Sequence, residues 1–506
     1  MNSMIEGLMG GFGNLLDPFN LLILLAGILL GFIGGGIPGI SGTMLVIILL
    51  PVSYSMEPTA AFLLLTSIYA TSVFSGSISA ILFRTPGTPE AVATVFDGYP
   101  MAQKGEGGKA LGVSIFSSAT GGVLGTIVLI FLTPLLATFA LSFAAPEYFA
   151  LALMGLTVVA SLSAGNLVKG FIGVAFGLFI ATIGLDSMTG TPRFTFGSGQ
   201  MMSGIDFIPV LIGLFAISEV LRQVQKKPRK TSNQKVRTEL PSWGLMKRIS
   251  NVIGRSSLLG IFIGILPGIG ATTAAMLSYS EAARWSKKPE EFGTGIPEGV
   301  AAPESANNAA AMGAMVPLLS LGIPGSATTA ILLGAFILHG IQPGPLMFQT
   351  QGSLVYTILM GLLVANLLIL VIAKPFISVF SKILRVPYSI IGPLIVLFCI
   401  IGTFAVRNSI FDVGVMLLFG VIGYFLENAK FPLAPIVLGV VLGPIAEDQF
   451  RRAMQMFNND FTIFFTRPIS LVLLLLALIS VVYPLFKKWI NHRKAKLRGD
   501  KNTIAS

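Results

Sequence analysis

Apolar runs of about 20 residues with few charges recur along most of this chain, and they decide what it can fold into. Hydrophobic types make up 54% and charged types 11% of the 506 residues, whereas soluble domains carry about 25% charged residues. The runs are continuous, as in "LVLLLLALISVVYPLF" near the C-terminus, and do not alternate as the strands of a membrane β-barrel do. The composition therefore predicts an all-α polytopic membrane protein.

Ten of these runs are candidates for spanning helices, although some of them are short for a full crossing. They lie near residues 58–83, 110–141, 146–162, 167–185, 205–222, 350–373, 386–405, 410–427, 432–446 and 468–486.

The net charge of +11 is concentrated in two segments next to such runs. Nine Lys or Arg residues and one acid lie within 222–248, and seven more with one acid lie within 487–501. Lys- and Arg-rich loops stay in the cytoplasm, so we expect the 223–250 linker and the C-terminal tail to be cytoplasmic. Nucleic-acid binding is the weaker interpretation, because both segments abut membrane spans.

The linker divides the chain into halves that share an order of features. Each half begins with an apolar stretch broken by Pro-Gly, at Pro38-Gly39 and at Pro267-Gly268. Each has a second break further on, "RTPGTPEAVAT" at 84–94 and "LGIPGSATTA" at 321–330. Paired, interrupted segments at matching places indicate a duplicated transporter unit whose site lies at the breaks. The predicted division is a first repeat 1–222, a linker 223–250, a second repeat 251–446 and a terminal helix with a basic tail, 447–506.

The first interrupted stretch, residues 21–50, is too long for one crossing and too short for two. A re-entrant hairpin that turns at 34–39 fits this length. Non-helical backbone at membrane depth is tolerated only inside protein or beside a water-filled cavity.

A helix that restarts at the turn points free N–H groups toward it, which suits an anion. Hydroxyls and exposed carbonyls at the same breaks are hard oxygen donors for a small cation. Close packing of glycine-rich helices is the alternative.

At these breaks the sequence resembles the large membrane subunit of the tripartite tricarboxylate transporters. The matching pieces are "GSISAILFRTPGTPEAVATVFDGYPMAQKG", "GILPGIGATTAAMLSY", "EGVAAPESANNAAAMGAMVPLLSLGIPGSATTAILLGAFILHGIQPGPL" and "VLGPIAEDQFRRAM". The resemblance covers residues 20 to 485. It departs at Arg84, where the family usually has Asn before "TPGTP", and this leaves the choice of carboxylate open.

The resemblance implies a carrier for organic carboxylates in the bacterial inner membrane, driven by an ion gradient. It implies two partners, a small four-helix membrane subunit and a periplasmic solute-binding protein, and no nucleic acid. The expected fold is that of elevator carriers of the ion-transporter superfamily, with two inverted repeats, re-entrant hairpins and discontinuous helices. No cofactor is expected. Sodium is the expected coupling ion, with protons as the alternative. A passive anion channel is the competing function, and no zinc-protease or Walker motif indicates an enzyme.

Two sets of residues are predicted to form the site. The substrate carboxylate is expected to meet backbone N–H groups, hydroxyls and amides of the second breaks and of "ESANNAA": Thr85, Gly87, Thr88, Asn307, Asn308, Gly325 and Ser326. The cation is expected at two pseudo-symmetric places, the first formed by Gly39, Ser41 and Thr43, the second by Gly268, Thr272 and Thr273 with Thr328 and Ser326.

Three charged residues near the breaks have open roles. Pro303 followed by Glu304 predicts a helix start, with Glu304 either at the interface or in a site inside the membrane. Asp97 in "VFDGYP" suits turn chemistry better than a site. Arg84 either pairs with a substrate carboxylate or extends to the membrane interface.

Overall fold

The computed structural model of this protein is built almost entirely of helices. It describes residues 2–37, 39–162, 167–225, 238–383 and 388–498. The helices of the first half are α1 (Asn2–Leu15), α2 (Pro18–Gly36), α3 (Gly42–Tyr54), α4 (Pro58–Phe83), α5 (Val95–Gln103), α6 (Gly107–Ala140), α7 (Ala145–Leu162), α8 (Leu167–Ala181), α9 (Gly199–Met202), α10 (Phe207–Leu211) and α11 (Ser218–Gln225). The strands β1 (Gly184–Leu185) and β2 (Pro192–Arg193) pair antiparallel between α8 and α9.

The second half begins inside the basic linker, because α12 starts at Trp243 behind an N-cap at Ser242. Its helices are α12 (Trp243–Ile265), α13 (Gly270–Trp285), α14 (Pro297–Leu321), α15 (Ala327–Leu338), α16 (Met347–Thr350), α17 (Gly352–Ile383), α18 (Tyr388–Arg407), α19 (Ile410–Asn428), α20 (Leu433–Met456), α21 (Ile463–Thr466) and α22 (Pro468–Arg498). Short 3₁₀ turns lie at Pro89–Ala91 and Pro289–Glu291, and a π-helical segment at Ile212–Ile217 joins α10 to α11.

Seven of the ten predicted spanning runs coincide with helices that are long and apolar enough to cross a membrane, and α2 is the eighth such helix within the described ranges. The runs at 146–162, 167–185 and 468–486 contain apolar helices whose described apolar parts are shorter, and the 167–185 run ends in β1. The run at 205–222 is α10, the π segment and α11 taken together. The run at 432–446 extends to Met456, so the predicted boundary at 446 falls inside α20.

The first interrupted stretch breaks where the glycines predict, but its two limbs are unequal. α2 ends at Gly36 and α3 begins at Gly42 behind the N-cap Ser41. α2 has 19 residues, enough to cross the hydrocarbon core alone, because it starts at Pro18 with Asp17 as its N-cap. The length argument for a hairpin therefore applies only to the 13-residue α3. Pro38 lies outside the described residues.

The chain folds into two compact units that do not follow its sequential halves. The first unit contains residues 1–141 and 206–425, and the second contains residues 142–205 and 426–506. Each half of the sequence therefore contributes to both units, and both pairs of breaks belong to the first unit.

Two fully enclosed helices, α4 and α14, form the centre of the first unit. Nearly all of their side chains are buried, including most of the Ser and Thr residues of α4. α4 packs against α2, and α14 packs against α12 and α6. Small and hydroxyl side chains allow such close approach between helices in an apolar medium.

The contacts of these two helix pairs correspond residue by residue. A Cβ on Gly35 of α2 would lie 2.4 Å from the carbonyl oxygen of Ser72 on α4. A Cβ on Gly264 of α12 would lie 2.2 Å from the carbonyl oxygen of Ala310 on α14. Gly35 and Gly264 each precede a Pro-Gly pair by three residues. The equivalent helices of each half, α2 with α4 and α12 with α14, thus meet at an equivalent glycine.

The second unit is tied together by a cluster of ions on the loop after α8 and on α20. Arg193 lies 2.8 Å from Glu447, and Arg451 lies 2.8 Å from Asp186 and 2.9 Å from Glu447. The backbone N–H of Thr189, together with Arg451 and against the opposing effect of burial, holds the pKa of Asp186 below its ordinary value. Glu447 and Arg451 therefore form an ion pair within a cluster that also includes Asp186 and Arg193.

Candidate functional site

The second break of each half begins with the same backbone geometry. The C-cap of α4 is Arg84 and that of α14 is Gly322, both in the left-handed region with φ of 54° and 72°. In each case the next residue donates its N–H to the carbonyl six residues earlier, at 3.4 Å for Thr85 and 3.2 Å for Ile323. This arrangement ends a helix and satisfies its last carbonyls.

A glycine in each second break lies against the first break of its own half. A Cβ on Gly87 would lie 2.2 Å from the carbonyl oxygen of Gly35. A Cβ on Gly325 would lie 2.9 Å from the carbonyl oxygen of Gly264. Gly268 also donates its N–H to the carbonyl of Gly325 at 2.8 Å. The two breaks of each half therefore meet, as their sequence pattern predicts.

Polar contacts then join each second break to the central helix of the other half. Asn307 on α14 donates from Nδ2 to the carbonyl of Glu90 at 3.1 Å. The hydroxyl of Tyr69 on α4 lies 3.5 Å from Oγ of Ser326. We call these residues and their neighbours the polar cluster: Tyr69, Thr88, Glu90, Asn307, Asn308 and Ser326. The cluster is built from both halves around α4 and α14.

Two buried oxygens of this cluster have no hydrogen-bond partner within the described chain. They are Oγ1 of Thr88 and Oδ1 of Asn308. The Nδ2 of Asn308 is occupied, because it donates to the carbonyl of Glu304 at 3.0 Å and to Oδ1 of Asn307 at 2.8 Å. A buried polar atom without a partner costs free energy, so these two atoms are where a bound ligand gains most.

Some of the expected backbone donors are engaged within the protein. Gly87 donates its N–H to the carbonyl of Gly76 at 3.0 Å. Ser326 donates its N–H to Oγ1 of Thr329 at 2.7 Å, within a capping box that begins α15. These N–H groups are therefore engaged within the protein, because chain breaks must satisfy their own backbone.

One residue of the first set of predicted cation ligands contacts a residue of the other half. Oγ1 of Thr43 lies 2.7 Å from Oγ1 of Thr328. The sequence pattern had placed Thr328 with the second set. Oγ of Ser41 accepts the N–H of Met44 at 3.1 Å as the N-cap of α3, and Gly39 has a φ of 95°.

The second set lies at the start of α13. Gly268 has a φ of 80°, and Thr272 and Thr273 are half-buried in the first turn of this helix. α13 packs against the 3₁₀ turn Pro89–Ala91. α3 packs against α15 in the corresponding way.

Glu304 does not lie at a helix start. α14 begins at Pro297, and Glu304 is fully buried in its interior. The pattern of Pro followed by Glu occurs first at Pro297 and Glu298, and that earlier copy is where the helix begins.

Asp97 anchors the beginning of α14. Its carboxylate accepts the N–H groups of Gly293 at 3.0 Å, Gly295 at 2.7 Å and Ile296 at 3.0 Å. It also accepts the hydroxyl of Tyr279 at 2.8 Å. Asp97 is buried and supplies a negative charge at the N-terminus of α14. The prediction of a turn at Asp97 is wrong, because the residue lies in the first turn of α5.

Arg84 precedes the predicted substrate residue Thr85, but its side chain is exposed, and its guanidinium lies 5.8 Å from the ring centroid of Tyr99. The geometry gives Arg84 a cation–π contact.

Comparison with known protein families identifies the family of this chain. The family model described as the tripartite tricarboxylate transporter TctA family matches residues 21–438. The chain belongs to that family. The resemblance drawn from the sequence is confirmed.

Two relatives from Agrobacterium vitis match this TctA-family chain. One is described as an uncharacterized 52.8 kDa protein in the TAR-I ttuC' 3' region, and is 39% identical over 486 residues, which are 96% of this chain and 97% of the relative. The other is described as an uncharacterized protein in the TAR-II ttuC' 3' region, and is 44% identical over 226 residues, which are 45% of this chain and 93% of the relative. No solved structure matches the chain.

Membership of the TctA family and the helical fold together define the functional class of the protein. The chain is a multi-pass membrane protein and a membrane component of a tricarboxylate-type transporter. Such a component belongs to a transport system and not to an enzyme class.

Two residues of the cluster were missed in the sequence. Tyr69 lies in an apolar run, where only the density of Ser and Thr in "LLLTSIYATSVFSGSIS" indicates a buried polar face. Glu90 is the only acid of the 84–94 break. Periodicity does not single out Tyr69, since α4 is buried on all sides, and Glu90 lies in a 3₁₀ turn of three residues, which is too short to show a period.

The tie made by Asp97 leads to a prediction about local stability in this TctA-family chain. Asp97→Asn keeps the shape but replaces one acceptor oxygen with a donor that faces backbone N–H groups. Losing a hydrogen bond to a charged group costs about 1.5–3 kcal/mol. We expect a lower melting temperature in detergent and faster hydrogen exchange at residues 293–296.

The matched control is Asp460→Asn, because that exposed carboxylate accepts a single backbone N–H, from Thr462. Exchange at 293–296 that is unchanged in Asp97→Asn would show that the anchor is not needed.

Proposed function

We propose that this chain is the large membrane subunit of a secondary transporter for organic carboxylates of the di- or tricarboxylate class in the bacterial inner membrane. A periplasmic binding protein delivers the substrate, a small four-helix subunit accompanies the chain, and a cation gradient, sodium or otherwise protons, drives uptake. Family membership supports the transport class. The observation that carries the rest is the meeting of broken helices from both halves at one polar cluster.

The two halves act as repeats of opposite orientation in this proposal. The matched glycine contacts of α2 with α4 and of α12 with α14 support duplication. The opposite orientation rests on charge. No Lys or Arg precedes Arg84, whereas the second half follows the basic linker. An elevator-type carrier moves a unit that holds its whole site, and every residue of the cluster belongs to the first compact unit.

The substrate carboxylate exchanges water for side-chain groups of the cluster. A bare charge in a low-dielectric interior is very costly, so fixed donors must replace its hydration. With the N–H groups of Gly87 and Ser326 engaged, the donors are the hydroxyls of Thr88, Tyr69 and Ser326. The free Oδ1 of Asn308 suits a hydroxyl or a protonated carboxyl on the same substrate.

Counterflow in proteoliposomes tests carrier against channel. The chain is reconstituted with its small membrane subunit and given labelled citrate or labelled succinate in separate assays, at equal ion concentrations on both sides. For a carrier, unlabelled substrate inside accelerates uptake of label, because the loaded site returns faster than the empty one. Uptake without this stimulation would identify a channel, and uptake of neither acid under any ion gradient would contradict the carboxylate class.

The substrate site makes a second prediction. Asn308→Ala removes the unpartnered oxygen and should weaken binding about tenfold, the equivalent of roughly 1.4 kcal/mol. Binding is measured by titration of the purified protein with the acid that shows counterflow. Ser326→Ala should weaken binding too, but it also removes the α15 cap, which is worth about 1 kcal/mol, and so needs a thermal melt beside it.

Ser320→Ala is the matched control, because among the described residues its buried hydroxyl bonds only to the Val316 carbonyl of its own helix. Parent-like binding in both Asn308→Ala and Ser326→Ala would place the substrate site elsewhere.

The cation sites make a third prediction. Thr43→Val and Thr272→Val keep the side-chain shape and delete an oxygen. If the hydroxyls of Thr43 and Thr328 hold sodium, Thr43→Val should raise the sodium concentration for half-maximal uptake about tenfold. Thr133→Val is the control, since its buried hydroxyl bonds to the carbonyl of Leu129 in α6. An unchanged sodium dependence in both site variants removes these residues from the ion path.

A further inference from the structure

A carboxylate enclosed by hydroxyls lies beside the substrate cluster. Glu304 on α14 is 0% exposed. The hydroxyl of Thr94 donates to its Oε1. The hydroxyls of Ser118 and Ser114 on α6 donate to its Oε2, at 2.8 Å and 3.3 Å. Both oxygens are therefore held by neutral donors from the first half of the chain.

No cationic side chain of the described residues pairs with this carboxylate. The titratable groups that face the buried part of α14 are Tyr69 on α4, Glu90 in the 3₁₀ turn, Asp97 on α5 and Tyr279 on α13. The cations on the helices around α14 lie at the surface or at helix ends: Lys109, Lys247, Arg248, Arg255, Arg284 and Lys374.

This enclosure of Glu304 favours the binding of a proton to its carboxylate. An isolated ionised carboxylate in a low-dielectric interior is costly, and three neutral hydroxyls offset only part of that cost. A proton neutralises the group without needing space, whereas a metal ion would have to displace hydroxyls already in contact with both oxygens. We infer that Glu304 takes up one proton from the outside medium and releases it inside in each transport cycle, a role that rests on the proposed transport function.

The position of Glu304 explains how a proton would be linked to substrate. Its backbone carbonyl accepts Nδ2 of Asn308 at 3.0 Å, one helical turn away. Two unit charges about 10 Å apart at an effective dielectric of about 20 change a proton affinity by roughly tenfold. A carboxylate bound beside Asn307 and Asn308 therefore favours the protonated form of Glu304, and the pair crosses with one negative charge fewer.

The first test needs no substrate. Infrared difference spectra of the purified full chain are recorded between about pH 6 and pH 9, where exposed carboxyls are ionised throughout. We expect a protonated-carboxyl band that disappears at high pH in the parent and in Glu298→Gln, and that is missing from Glu304→Gln. Glu298 is the matched control because it is a largely buried acid of the same helix that pairs with a cation, Arg248. A band change identical in Glu304→Gln, or no change in the parent, overturns the inference.

The second test measures coupling in proteoliposomes that contain the small subunit, with citrate and succinate as separate probes and the sodium gradient removed. An inward proton gradient should stimulate parent uptake at least about tenfold, and Glu304→Gln, which mimics the protonated form, should lose that stimulation. Stimulation equal to that of the parent in Glu304→Gln overturns the inference. If Glu304→Gln does not accumulate, Ser118→Ala replaces it: loss of one donor to the ionised form should shift the infrared transition to higher pH, and an unshifted transition overturns the inference.

The two proposals fail in different ways. Titration of Glu304 in the infrared without uptake of either acid would contradict the transport proposal and leave the proton site standing. Uptake of citrate or succinate without titration of Glu304 would do the reverse.

Discussion

Backbone groups that leave a helix inside an apolar protein must find partners within the protein, and the arrangement of both halves depends on this requirement. The break at Gly268 is closed by its N–H on the carbonyl of Gly325. The start of α14 is closed by the carboxylate of Asp97, which comes from the other half. Chain breaks therefore satisfy one another, and this is why the Pro-Gly segments converge instead of lying apart.

Glycine makes this convergence sterically allowed. Gly35 and Gly264 lie so close to carbonyl oxygens of α4 and α14 that a side chain at either position would force the helices apart. The carbonyl groups of Gly35 and Gly264 in turn lie against Gly87 and Gly325 of the second breaks. Close packing was the alternative to a binding site for these segments, and the structure shows that packing is real. The packing holds the polar groups of the cluster in place, so the two interpretations are compatible.

The sequence predicts the helices well because the medium dictates their length. Runs such as 58–83 and 410–427 correspond to α4 and α19 nearly residue for residue, since a continuous apolar run has one favourable structure in a bilayer. The break positions follow from glycine and proline, whose backbone preferences are local.

Pairings between distant residues could not be predicted in the same way. The contact of Thr43 with Thr328 and that of Tyr69 with Ser326 depend on how helices from opposite halves pack, and no local pattern encodes this. Glu304 shows a related limit, because two copies of one helix-start pattern lie six residues apart and only the tertiary structure selects between them.

The interleaving of the two compact units has a consequence for how the chain assembles. Residues 142–205 complete their unit only with residues 426–506, which are synthesised after nearly all of the first unit. Contacts of such large sequence separation form late and slow folding. During synthesis α7 and α8 can pack against each other but must await their later partners, α20 and α22. This protein therefore cannot be built one finished domain at a time, and truncation near the C-terminus removes the partners of helices made long before.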